Sequence, residues 1–303
     1  MSGGGLAQLR TTISAALRGK PAVVDLALTA VLADGHLLLQ DVPGVGKTTL
    51  AAALAGAIGG SFRRVQFTSD LLPADLTGVN VLEADRATFR FRQGPLFANV
   101  VLADELNRTT PKTQSALFEA MEERQISVDG ETRPLPRPFL VVATQNPFDA
   151  HGTYQLPDSQ LDRFLMRLSI GYPDRDTERI LLRRAGSHGV PEPVVGPEQL
   201  LAWMEEARRV EVPEPVEELV LDLVRATRSD ARFVRGVSTR GAQALHRATR
   251  ARALVAGRSY AIPEDVRELA VPVLAHRVLP RASDREAAEL AVQQLLDELP
   301  SPL

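Results

Sequence analysis

The stretch 36–50, HLLLQDVPGVGKTTL, leaves the chain few architectures to choose from. Leu37, Leu38 and Leu39 have the length and flanks of a buried strand, which breaks into Pro43, Val45 and two glycines, Gly44 and Gly46, just before Lys47, Thr48 and Thr49. Strand, glycine loop and helix is the order that a phosphate cradle requires. The two glycines can take backbone angles that turn several N–H groups toward one point, and a helix starting near Lys47 adds its positive dipole end. Lys47 then neutralises β- and γ-phosphates and the Thr48 hydroxyl is placed to ligate Mg²⁺. The pattern G-x-x-x-x-G-K-[ST] is met except at its first position, where Asp41 stands for glycine. An aspartate can begin a tight turn through its own side chain, but it lacks glycine-only angles, and its charge is expected near the phosphates. A dinucleotide-binding loop fits worse, because Thr49 stands where a third glycine belongs.

Around this loop the chain is long enough, at 303 residues with 44% hydrophobic content, to bury a sizeable core and divide into two domains. It has no cysteine, so disulfides, thiolate metal sites and cysteine nucleophiles are excluded. A net charge of −3 argues against binding nucleic acid through bulk positive charge. No apolar run approaches spanning length and MSGGG lacks the regions of a signal peptide, so no membrane insertion and a cytoplasmic location are expected.

Taken in order, residues 9–33 read as helical, 48–58 as a helix buried against a sheet, and 62–67 as a second strand. Two alternating runs, 79–83 and 88–92, flank a polar turn and predict a hairpin with Phe89 and Phe91 on one face and Arg90 and Arg92 on the other. That hairpin is either an ordinary surface element with solvated arginines or an inserted contact element. Val100 to Ala103 delivers Asp104 and Glu105 to the carboxyl end of a strand, where ligands of α/β sheets bind. Asp104 suits the Mg²⁺ shell opposite Thr48 and Glu105 the water that attacks the γ-phosphate, although acidic pairs after strands also cap helices. A helix at 113–124 precedes a second hairpin, 126–135, with a turn at Asp129-Gly130. Residues 139–144 form another buried strand, ending before Asn146, which either bonds the attacking water or simply precedes Pro147 in a turn. Leu161 to Ile170 holds Asp162-Arg163 and a fifth short strand. Beyond Pro173 arginine, alanine, leucine and glutamate recur in helical spacing, marking a domain boundary. Six helices are expected there, at 177–185, 197–209, 216–228, 239–256, 263–276 and 285–299, with a Ser283/Glu286 capping box at the last. The histidines at 36, 151, 188, 246 and 276 have no pair at metal-ligand spacing and read as structural.

Several of these segments together resemble an AAA+ ATPase of the MoxR family. They are DVPGVGKTTLA at 41–51, RVQFTSDLLPADLTG at 64–78, FRQGPLF at 91–97 and VLADELNRTTPKTQSALFEAMEE at 101–123. ATQNP at 143–147, GTYQLPDSQLDRFLM at 152–166 and GVSTRGAQAL at 236–245 complete the set. The resemblance implies an α/β fold: a P-loop αβα sandwich with a parallel five-stranded sheet in residues 1–173, then an α-helical lid in 174–303. It implies Walker A at Lys47 and Thr48, Walker B at Asp104 and Glu105, a first sensor at Asn146, an arginine finger at Arg163 and a second sensor at Arg240. The hairpins at 79–92 and 126–135 correspond to the helix-2 insert and the pre-sensor-1 insert. Departures from the family pattern are Asp41, His151 for an acidic residue, Gln155 for proline, and Thr239-Arg240-Gly241 for proline-arginine-alanine.

The resemblance further implies a homo-oligomeric ring, hexameric by expectation, that binds ATP or ADP with Mg²⁺ and remodels or matures a protein client beside a von Willebrand factor A-type partner. An arginine finger contributes ~10³ to 10⁵ in rate, so assembly becomes part of catalysis. Arg163 could equally pair with Asp162 or Asp158 on its own surface. The alternatives are a nucleic-acid translocase, to which acidic net charge and few aromatics run counter, and a nucleotide-gated scaffold with slow turnover.

Overall fold

In a computed structural model of the chain, the described residues are 3–83, 88–146, 153–183, 190–281 and 285–300. The chain opens with α1 (Gly3–Ala16), α2 (Pro21–Leu32), β1 (His36–Gln40), α3 (Lys47–Ala57) and β2 (Phe62–Gln66). A short α4 (Pro73–Thr77) leads into β3 (Gly78–Glu83) and β4 (Thr88–Gln93), and then come β5 (Val100–Asp104) and α5 (Pro111–Glu123). Next are β6 (Gln125–Val128), β7 (Glu131–Pro134), β8 (Leu140–Gln145), a one-turn α6 (Asp158–Leu161) and β9 (Phe164–Leu168). The remainder is mostly helical: α7 (Arg175–Arg183), α8 (Pro197–Arg208), α9 (Glu214–Ser229), β10 (Phe233–Arg235), α10 (Thr239–Val255), α11 (Pro263–Leu274), β11 (Leu279–Pro280) and α12 (Arg285–Glu298).

The main sheet has five strands in the order β2-β5-β8-β1-β9, and every pairing is parallel. Leu37 and Leu39 of β1 enter one apolar cluster with α1, α2 and α3, while Leu38 enters the other with α5, Phe67 and Leu76. A strand buried on both faces reads as a continuous apolar run, which is why LLL rather than an alternating pattern marks the sheet centre. The helical remainder shares the first cluster: Leu200, Trp203 and Leu245 belong to the same core as Leu165 of β9.

Where expectation and structure differ, local backbone supplies the reason. The helical stretch 9–33 is two helices, because Gly19 takes φ +72° and Pro21 starts the second. The β10–β11 pair is only three and two residues long, too short to show alternation among helices. Both inserted hairpins form and touch each other: Asn80 donates to Asp129 Oδ2 at 2.6 Å, and the Arg133 guanidinium lies 4.2 Å from the Phe91 ring centroid. Phe91 packs edge-on against Phe97, whereas Phe89 on the same face is 72% exposed. The turn at 84–87, Pro147, His151, His188 and the Ser283 cap lie outside the described residues.

Candidate functional site

β1 runs out at Gln40 and the chain turns through Pro43 and Gly44 into α3, with Gly44 at φ +86° and Gly46 at φ +105°. Both glycines are required by backbone conformation, since a side chain in that region is strained. The resulting loop, with Lys47, Thr48 and Thr49, walls a cleft of ≈ 370 Å³ whose other side is Arg64, Gln66, Asp104, Glu105, Thr144 and Asn146. Val45 points away and packs against the core. The Lys47 ammonium folds back onto its own loop, donating to Asp41 O at 2.7 Å and Val42 O at 3.0 Å. Burial pulls its pKa below the ordinary lysine value, against the attraction of Asp41, Asp104 and Glu105.

The acid pair sits where β5 ends, and a parallel sheet presents strand ends to this crevice. Thr144, at the end of neighbouring β8, donates to Asp104 Oδ1 at 2.6 Å and accepts the Glu105 backbone N–H at 2.9 Å. Arg64 covers the other oxygen of Asp104 at 2.6 Å, and Gln66 donates to Glu105 Oε2 at 2.7 Å. Arg108 approaches the same oxygen at 3.2 Å. Glu105 has φ 56° and ψ 48°, a left-handed conformation that costs a non-glycine residue roughly 1–3 kcal/mol and persists only where surroundings over-determine it. Two strands therefore hold both carboxylates at the cleft. A hydroxyl at Thr48 and a carboxylate at Asp104 are hard oxygen donors of the kind Mg²⁺ takes. Among the described residues no group of three or more His, Cys, Asp and Glu forms a metal cluster, so any ion here would take its remaining ligands from phosphate and water.

Asp41 does something other than the sequence suggested. Its carboxylate does not line the cleft; Oδ2 accepts from Ile170 N at 2.5 Å, Gly171 N at 3.0 Å and Ser169 Oγ at 3.1 Å. The charge ties the first residue of the loop to the end of β9, where those three donors converge.

Arg163 and Arg240 do not line the cleft either. Arg163 precedes β9, whose Phe164 is level with His36 at the start of β1, while the cleft lies beyond Gln40 at its end. Four residues of strand separate the two levels, roughly 13 Å along the sheet. Arg163 Nε lies 3.2 Å from Glu122 Oε2, and Arg240 Nη2 bonds the same oxygen at 2.7 Å. Arg240, through that bond, holds the Glu122 carboxyl below the usual range, with Arg163 adding its charge. The alternative partners expected for Arg163 are otherwise engaged, Asp158 with Arg235 at 2.7 Å and Asp162 with Arg277 at 2.7 Å.

Arg64, Gln66, Thr144, Glu122 and Arg277 do not stand out as site residues in the sequence. Arg64 and Gln66 alternate on one face of β2, a period-two signal that becomes informative only when β5 is known to be its neighbour. His36 and His276 are buried and hydrogen-bonded to backbone, as structural histidines should be.

Known proteins resemble the chain over nearly its whole length. The profile of the ATPase family associated with various cellular activities (AAA) matches residues 36–166, which hold the loop, the acid pair and Arg163, and the AAA lid domain profile matches residues 225–298. YeaC of Bacillus subtilis is 45% identical over 297 residues, covering 96% of this chain and 93% of YeaC. The chaperone MoxR1 of Mycobacterium tuberculosis is 38% identical, covering 94% of this chain and 79% of MoxR1. A crystal structure of a protein from Cytophaga hutchinsonii superimposes with a TM-score of 0.90 at 34% identity, covering 98% of this chain and 94% of its own. By sequence over nearly its whole length, and by fold, the chain belongs to the MoxR family of AAA+ ATPases.

Proposed function

We propose that the chain hydrolyses ATP at the cleft between the glycine loop and the acid pair, with Mg²⁺, as one subunit of a homo-oligomeric, hexameric ring. Residues 1–173 form the nucleotide-binding core of this reading and 174–303 its lid. Backbone N–H groups of residues 44–49 and the start of α3 receive the phosphates, and Lys47 leaves Asp41 O and Val42 O to reach the β- and γ-oxygens. Thr48 and Asp104 hold Mg²⁺, which when bound supplies positive charge to the phosphate oxygens. Glu105, fixed by Gln66 and by its strained backbone, takes the proton of the attacking water, and Asn146 orients that water. ADP and phosphate are the products.

Arg163 and Arg240 stand at the other end of the sheet, with Glu122 between them, so neither serves its own cleft; both are offered to a neighbouring subunit's nucleotide. That two-ended arrangement supports a shared site. Hydrolysis is then coupled to remodelling or maturing a protein client, a role in keeping with the chaperone name of MoxR1, with a von Willebrand factor A-type protein as partner. The net charge of −3 disfavours nucleic acid as the client. No helix of the described residues is long and apolar enough to cross a membrane.

The observation that carries the reading is the convergence of Lys47, Thr48, Asp104, Glu105 and Asn146 on one cleft. Glu105→Gln tests it: ATP binding persists while turnover falls by ~10² or more. Turnover at the parent rate would remove Glu105 from the mechanism.

A further inference from the structure

We infer that Arg277, a buried guanidinium of the lid, is the positioning residue for the two arginines this subunit presents to its neighbour; the inference rests on the shared-site reading above. Arg277 follows α11, and its side chain is 3% exposed. Nε donates to Asp162 Oδ1 at 2.7 Å, Nη2 to Asp162 O at 3.0 Å and Phe164 O at 2.7 Å, and Nη1 to Leu165 O at 3.1 Å and to Val273 O. The guanidinium fork thus brackets residues 162–165, the segment that bears Arg163. The other oxygen of Asp162 is 3.7 Å from Arg240 Nε. Arg277 also touches the backbone that bears Arg240: a Cβ added to Gly241 would lie 3.0 Å from Arg277 Cδ and 2.6 Å from Val237 Cγ1.

Burial pulls the Arg277 guanidinium down to about 10, against the attraction of Asp162, so it is charged at neutral pH. All its reach is taken by the joint between the lid and β9, and it does not line the nucleotide cleft. Its role follows from what it grips. These bonds join the lid directly to the strand end that bears Arg163, so displacing the Arg277 guanidinium shifts Arg163 and Arg240 together. An ion pair this deep is weak evidence of net stability, since burial offsets much of the attraction, which leaves alignment as the property that the four bonds to residues 162–165 supply.

The test is complementation with Arg277→Gln. Its own cleft binds nucleotide as the parent does, and its kcat falls by ~10²-fold through misplacement of the neighbour's arginines. Mixed with Lys47→Ala it regains activity, because the Lys47→Ala subunit donates intact arginines to an intact cleft. Mixed with Arg163→Ala it regains none, because both variants fail on the donating side. Should Arg277→Gln not fold, Asp162→Asn, which keeps the shape and loses the charge, gives the same pattern. The Arg163→Ala and Lys47→Ala mixture is the control: if it recovers activity while Arg277→Gln with Lys47→Ala does not, the Arg277 assignment is overturned alone. If the control itself stays dead, the shared site falls and the inference with it. Rescue of Arg277→Gln by Arg163→Ala would also overturn it.

Discussion

Replacing Asp41 by glycine restores the consensus phosphate-loop pattern, and motif matching alone expects the variant to be the better nucleotide binder. The structure reverses that expectation. Asp41 Oδ2 accepts three hydrogen bonds from Ser169, Ile170 and Gly171, and Ile170 is 3% exposed. Removing the carboxylate leaves the Ile170 N–H buried without its charged acceptor, a loss of about 1.5–3 kcal/mol. Ser169 and Gly171 are less enclosed and can turn to water. Glycine adds roughly 0.5–1 kcal/mol of backbone entropy cost. The sum is about 2–4 kcal/mol, a fall in Tm of roughly 3–6 °C for a chain of 303 residues. Thermal unfolding without nucleotide measures it, with Asp41→Asn, which keeps an acceptor but no charge, falling between. An Asp41→Gly protein as stable as the parent would show that the clamp on β9 contributes nothing.

Thr144→Val keeps the volume and loses the hydroxyl that links Asp104 Oδ1 to the Glu105 N–H. Turnover should drop about tenfold with little change in ATP affinity, and a larger effect on affinity than on turnover would contradict the bridging role. A third prediction concerns pH. Burial, with Arg124 near His36 and Arg277 near His276, holds both imidazoles well below the ordinary value of 6.5. The unfolded chain takes up these protons and the folded chain does not, so stability is full above about pH 6.5 and is lost below it. The slope reaches about 1.4 kcal/mol per pH unit for each histidine. Urea midpoints on either side of pH 6.5 measure it; midpoints independent of pH between 6.5 and the carboxylate range would refute it.

How much of the fold and the site is legible in the sequence depends on the sequence distance of each partner. The loop from Pro43 to Thr49, the acid pair and both hairpins are readable because glycine positions, alternation and turn residues act within a few positions of one another. Even the five-stranded sheet is within reach, since LLL at 37–39, VVLA at 100–103 and LVVAT at 140–144 are runs buried on both faces. The duty of Asp41 is not readable: its donors lie 128 to 130 residues away, and nothing near Asp41 announces them. Arg277 lies 115 residues from Asp162, and Arg240 118 from Glu122. Arg240 is marked in the sequence by the family resemblance, but its partner Glu122 is not, and Arg277 stands just past a helix with nothing nearby to mark it; only packing of the lid on the sheet edge gives each its partner.

The central claim is that ATP is held by one subunit and cut with the help of another. Mixing Arg163→Ala with Lys47→Ala in equal amounts tests it most directly, since neither protein can complete a site alone. If subunits assemble at random, about one quarter of the interfaces pair an intact cleft with an intact arginine, and ATPase activity should recover to that order. No recovery at any mixing ratio, with both variants shown to co-assemble, would contradict the account.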